Sequence, residues 1–172
     1  MKVKNILLTG PPRCGKSTLI AKLVKQFRQP VTGFFTREIR EKGQRVGFAI
    51  LTMDGKEGVL AHKDSRSEIR VSQYGVNIED LDQIAVPSMI PNKPDQFVVI
   101  DEIGKMECFS LLFRETLIKV FDSPNPVIAS IALKGGPFIQ KIKERKDVLL
   151  VTVSEKNRDS LPAHLWEQIH SK

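Results

Sequence analysis

The sequence predicts an α/β protein whose mainly parallel sheet is covered by helices on both faces, in three layers. Three observations carry this. First, short apolar runs such as "QFVVI", "PVIASIAL" and "DVLLVTV" have the length and β-branched content of strands buried on both faces. Second, segments with apolar residues at helical spacing lie between several of these runs, and such alternation builds parallel sheets through crossover connections. Third, residues 31–74 break the alternation and read as an antiparallel hairpin and meander added to the main sheet.

Val3 to Thr9 is apolar and ends at a glycine, so it is the first strand. Leu19, Ile20, Leu23, Val24 and Phe27 define a helix starting at Ser17, and Pro30 predicts its end near Arg28. "VTGFFTREI" and "RVGFAILT" flank "REKGQ", where Gly43 supplies the turn of a hairpin. "MDGKEG" then turns the chain into "VLA", and "EIRVSQY" predicts one more strand. Asn77 caps a helix from Ile78 to about Val86, with Asp80 at the third helical position. "PSMIPNKPD" holds three prolines and is a loop before the "QFVVI" strand. A helix from Phe109 to Phe121, a strand at "PVIASIAL", a "KGGP" loop and a short helix from Phe138 to Lys143 follow. "DVLLVTV" is the last strand, and a helix from about Pro162 to His170 closes the chain.

The 172 residues fit one domain, assigned to 1–172 with 31–74 as an insertion. A hydrophobic fraction of 41% and a charged fraction of 27% are those of a globular protein able to build a core without disulfides or structural metal. The net charge of +7 suits anionic partners. The basic cluster Lys141, Lys143, Arg145 and Lys146 reads as a solvated helix end in preference to a nucleic-acid patch. Cys14 and Cys108 form no CxxC pair, which leaves no zinc-type spacing and suits the reducing cytoplasm. No cleavable leader is expected in "MKVKNILLTG", and no run approaches the ~20 apolar residues of a membrane span. No heptad pattern demands a dimer, so a monomer is expected.

Gly10, Gly15, Lys16 and Ser17 satisfy G-x-x-x-x-G-K-[ST], the Walker A pattern, with a strand before and a helix after. A polyphosphate concentrates negative charge, and a loop wrapping back to a helix N-terminus aims backbone N–H groups and the helix dipole at it. Lys16 is expected to reach the β- and γ-phosphates and the Ser17 hydroxyl to bind Mg²⁺. Pro11 and Pro12 have no N–H and stiffen the entry. The donors are then Arg13, Cys14, Gly15, Lys16 and Ser17, with Thr18 at the α-phosphate. Cys14, inside this loop, is a passive small residue or a thiol whose alkylation would block nucleotide by bulk.

A Mg²⁺–nucleotide also needs carboxylates at the end of a neighbouring strand. "FVVIDE" supplies Asp101 for the metal, through water, and Glu102 to orient or deprotonate a water in line with the γ-phosphate. "DEIG" and "NKPD" together imitate GTPase motifs, but Asn92 to Asp95 precede the strand and belong at its far end, more than ~15 Å from the phosphates. The transition state needs further positive charge. Lys105 is the nearest candidate, Arg158 a second that also reaches toward the base, and Arg145 a weaker third. Glu107 is expected to support Lys105 or the magnesium shell.

"LTGPPRCGKSTLI", "VVIDEIGKME" and "RKDV…VSEKNRDSLP" resemble the nucleoside-triphosphatase family first known from thermophilic microbes, which includes the cancer-related nucleoside triphosphatase of animals. The similarity continues through "GFFTREIRE" and "RVSQYGVNIEDL". It implies a P-loop α/β/α fold with an extra hairpin region and slow, Mg²⁺-dependent hydrolysis of ATP, GTP and other nucleoside triphosphates. It further implies a catalytic glutamate after the Walker B aspartate, matching Glu102, and an extra strand between the two motif strands, for which "PVIASIAL" is the candidate. The family usually has glycine where this chain has Arg13. If that backbone needs φ > 0, arginine is strained by ~1 kcal/mol or more. Its guanidinium then faces solvent or folds over the phosphates.

Three functions compete. A hydrolase uses water as acceptor. A nucleoside or nucleotide kinase would use "KGGP" and "KIKERK" as a lid. A nucleotide-switched RNA-binding module has only the basic cluster and the meander in its support.

Overall fold

In a computed structural model, residues 3–170 are described; Met1, Lys2, Ser171 and Lys172, the ends of the 1–172 assignment, lie outside the described residues. Strand β1 (Asn5–Thr9) leads through the glycine loop into α1 (Lys16–Val24). The hairpin β2 (Val31–Glu41) and β3 (Gln44–Thr52) is followed by β4 (Glu57–His62). The segment predicted as one further strand is a small hairpin, β5 (Arg70–Val71) and β6 (Tyr74–Val76). Ser72, at φ 54, turns the chain there, so the meander ends at Val76 and not at Tyr74.

Asn77 caps the next helix as expected, its side chain accepting from the Asp80 N–H at 3.0 Å. The helical run α2 has three pieces, Ile78–Asp80, Leu81–Ala85 and Val86–Ser88, and the middle one is π-helical. Strand β7 (Phe97–Ile103) follows the proline loop. A 3₁₀ turn (Glu107–Phe109) precedes α3 (Leu111–Asp122), which starts two residues later than predicted. Its cap is Ser110, whose Oγ accepts from Phe113 N–H at 2.9 Å. Then come β8 (Val127–Ile131), α4 (Pro137–Lys143), β9 (Val148–Thr152) and α5 (Leu161–His170). Helix α1 stops before Arg28 because its end tightens, with Gln26 and Phe27 N–H groups bonding three residues back.

The strands form one sheet in the order β5-β6-β4-β3-β2-β7-β8-β1-β9. The half from β2 to β9 is parallel and the half from β2 to β5 antiparallel. Strand β8 stands between β1 and β7, as the family resemblance implies.

Alternation along the parallel strands sends side chains to two cores. Leu7, Val98, Ile100 and Ala129 pack with Leu81 of α2, Phe113 and Leu117 of α3 and Ile139 of α4. Ile6, Leu8, Val99 and Ile128 pack with Leu19, Ile20 and Leu23 of α1 and Leu165 of α5. Burial on both faces explains why these strands read as continuous apolar runs. Because β1, β7, β8 and β9 run parallel, their carboxyl ends open onto the same edge, where loops rather than side chains close the sheet.

Candidate active site

At that edge the chain leaves β1 at Gly10 (φ 151) and enters α1 through Gly15, a left-handed cap at φ 108. The 10–15 loop lies between them with Pro11, Pro12 and Arg13 exposed and Cys14 buried. Lys16 folds back over its own loop: Nζ donates to the carbonyls of Gly10 (2.9 Å) and Pro11 (3.1 Å). Ser17 and Thr18 are exposed on the first turn of α1. Of the amides expected as phosphate donors, that of Cys14 donates to Pro11 O at 3.3 Å. The Cys14 side chain packs with the α1 core, which accords with a passive filler.

Arg13 has φ 62, a conformation that disfavours any residue with a Cβ, and its side chain is exposed. Replacing it with glycine relieves ~1–2 kcal/mol of strain and gives back part of that to the unfolded chain. Arg13→Gly is therefore expected to raise the melting temperature by about 2 °C, whereas Arg13→Ala, which keeps the Cβ, should give no gain. A thermal melt of the two variants checks this; a lower melting temperature for the glycine variant contradicts the strain argument.

The opposite wall comes from β7. Between Ile100↔Ala129 and Ile103↔Ile131, β7 advances three residues while β8 advances two. Asp101 and Glu102 occupy this bulge, which re-aims side chains at a strand end, and the peptide joining them is cis. Asp101 is 1% exposed. Ser130 Oγ of β8 donates to Asp101 Oδ1, and the Ser17 hydroxyl of α1 faces the same carboxyl. Asp101 Oδ2 is buried without a partner. Burial pushes the Asp101 carboxyl above its ordinary pKa, against the Ser130 and Ser17 hydroxyls and the Lys16 charge. Glu102 is half-buried and also raised, first by burial and then by the Asp101 charge, with Lys16 opposing.

Residue-level expectations divide here. Lys16, Ser17, Asp101 and Glu102 come together across the crevice. Lys105 is exposed on the turn beyond β7. The Arg158 side chain lies over the loop, its Cδ 3.3 Å from where a Gly15 Cβ would stand. With Gly15, Thr18, Lys22 and Asp159 it lines a cavity of about 240 Å³ beside the α1 N-terminus. Arg145 is elsewhere: it is bound to Asp122 and Asp147, and Asp147 O receives the Asn5 N–H at the amino end of β1. At that end of the sheet it cannot serve the transition state. Lys143 Nζ is tied to Leu133 O. The "NKPD" loop precedes β7 at the same amino end, where Asn125 bonds Lys93 O.

Glu107 departs from the first of its two expected roles, the support of Lys105. It is 4% exposed and accepts the Gly104 N–H at 3.1 Å, so its carboxyl is turned inward and not out to Lys105. Burial, then the Glu102 charge, push it up to about 8. Ser130 was missed by motif reading; its signal is one hydroxyl inside the apolar run "VIASI".

An unpartnered buried carboxylate oxygen beside a serine hydroxyl is a hard-oxygen donor set suited to Mg²⁺. Among the described residues no group of three or more His, Cys, Asp or Glu is arranged to hold a metal, so an ion here would draw its remaining ligands from phosphate and water.

A family model described as NTPase matches residues 5–166. The nucleoside-triphosphatase THEP1 of Thermotoga maritima is 48% identical over 157 residues, covering 91% of this chain and 90% of that protein. The human cancer-related nucleoside-triphosphatase is 38% identical over 175 residues, covering 92% of each. The crystal structure of THEP1 from Aquifex aeolicus superposes with a TM-score of 0.87 at 31% identity, over 96% of this chain and 99% of that one. The solution structure of the human cancer-related nucleoside triphosphatase gives 0.85 at 35% identity, over 99% of both.

Proposed function

The chain belongs to this NTPase family, and from that membership we propose that it hydrolyses nucleoside 5′-triphosphates, ATP and GTP among them, to the diphosphate and phosphate in a Mg²⁺-dependent reaction. One observation supports the reading: the buried Asp101 carboxyl of β7, with one oxygen unpartnered, faces the Ser17 hydroxyl and the Lys16 charge at the head of α1, so that loop and strand end meet at one site. Backbone amides of residues 13–18 and Lys16 grip the phosphates. Ser17 and Asp101 would hold magnesium, which would supply neutralisation of the phosphate charge.

Glu102 accepts a proton from water as the water oxygen bonds to the γ-phosphorus and the bridging P–O bond breaks. Its raised pKa, caused by burial and by Asp101, makes it a stronger base than an exposed glutamate once ionised. Lys105 and Arg158 are the cations available to the transition state and to the α-phosphate and base side. Lys16 must leave Gly10 O and Pro11 O to do its work.

The base is gripped loosely, since the recognised part is the triphosphate. Both cysteines are unpaired, which suits the cytoplasm, and no helix among the described residues is long and apolar enough to cross a membrane.

The test is phosphate release by pure protein with Mg²⁺ and one triphosphate at a time. Release without an acceptor, abolished by EDTA, is the expected result. Turnover appearing only when a nucleoside or nucleotide is added would replace this reading by a kinase.

A further inference from the structure

Glu107 lies five residues beyond Glu102, yet the two carboxyls converge on one point. A Cβ placed on Gly104 would stand 2.7 Å from Glu102 Oε1 and 2.9 Å from Glu107 Oε2. A side chain at position 104 would push against both carboxyl tips. Glu107 is buried, and it takes the Gly104 amide at 3.1 Å. That bond closes the turn, which is further pinned by Cys108 N–H on Gly104 O at 3.1 Å. The turn begins where β7 ends, immediately after the bulge that carries Glu102.

A buried acid is a costly way to cap a turn, since an apolar side chain would need no partner. Its geometry has a use, however. The Glu107 carboxyl, held by the Gly104 amide, bounds the side of Glu102 that lies against Gly104.

We propose that Glu107 is a positioning residue for Glu102: it fixes the Gly104 turn beyond β7 and, packed across Gly104, sets the direction in which the Glu102 carboxyl can point. This inference rests on Glu102 being the water-activating group. The upward direction of the Glu107 shift, caused first by burial and second by the Glu102 charge, agrees with the two carboxyls lying near one another.

Turnover, KM and the binding of a fluorescent nucleotide are measured for Glu107→Ala, Glu107→Gln and Glu102→Gln, with binding stoichiometry used to count folded sites. Glu107→Ala is expected to lower kcat on the order of 10- to 100-fold, with KM within about threefold of wild type. Glu107→Gln keeps an acceptor for the Gly104 amide and should recover most of that loss. A Glu107→Ala protein turning over within about threefold of wild type, beside a Glu102→Gln protein that has lost turnover, overturns the positioning role alone. A glutamine variant that falls as far as the alanine one also overturns it, because charge and not placement would then matter. If Glu102→Gln turns over like wild type, the reading of Glu102 fails, and the positioning role with it.

Discussion

Glu102→Gln is expected to lower kcat by roughly two to four decades, the usual contribution of general-base catalysis, while nucleotide affinity stays near wild type. The substitution keeps the shape of a half-buried side chain and removes only its capacity to take a proton. The phosphate-binding loop is untouched, because its amides and Lys16 belong to the other wall. Removing a charge that pushes up the neighbouring carboxyl of Glu107 should not harm folding. Single-turnover phosphate release, with binding measured by fluorescent nucleotide, separates the two effects. Weakened binding with unchanged turnover of the bound fraction would assign Glu102 to substrate capture instead.

The second large effect is on the fold. Gly33 of β2 has φ 111, and a Cβ there would stand 1.8 Å from the carbonyl oxygen of Val99. No side-chain rotation relieves a contact with backbone; β2 and β7 must part. Gly33→Ala should cost about 3 kcal/mol or more, from left-handed strain plus overpacking. That lowers the melting temperature by about 6 °C or more in a chain this long. Phe35 pairs with Asp101 two residues along the same register, so the displacement also reaches the catalytic wall, and kcat should fall with stability. Gly43→Ala is the control: it has φ 78 but nothing within 4 Å of the added carbon, and only the ~1 kcal/mol backbone term applies. A Gly33→Ala protein that melts within about 2 °C of wild type would show that β2 and β7 can separate cheaply.

What could be read in advance follows from local physics. Walker A announces itself because a glycine loop between a buried strand and an amphipathic helix needs residues of fixed type at fixed spacing. The apolar runs of β1, β7, β8 and β9 are legible because burial on both faces leaves no room for polar residues. Gly33 looked like any strand residue, since its φ depends on how closely Val99 approaches. Ser130 was hidden because its role comes from β8 lying beside β7, a pairing of distant segments. The inward turn of Glu107 depends on the bulge before it, and a bulge has no signature in "DEIGKME". Arg145 was misjudged for a related reason. Its cluster is basic in sequence, but the fold delivers Asp122 and Asp147 to it at the wrong end of the sheet for catalysis.

The strand that carries the glycine loop is sandwiched between β8 and β9, the last two strands among the described residues to leave the ribosome. At ordinary translation speed, on the order of 10 s separates emergence of the loop from emergence of the strand that completes its support. A nascent chain is therefore expected to bind no nucleotide until β9 has emerged, and a message broken before the codon for Val148 yields a product unable to compete for the cell's triphosphates.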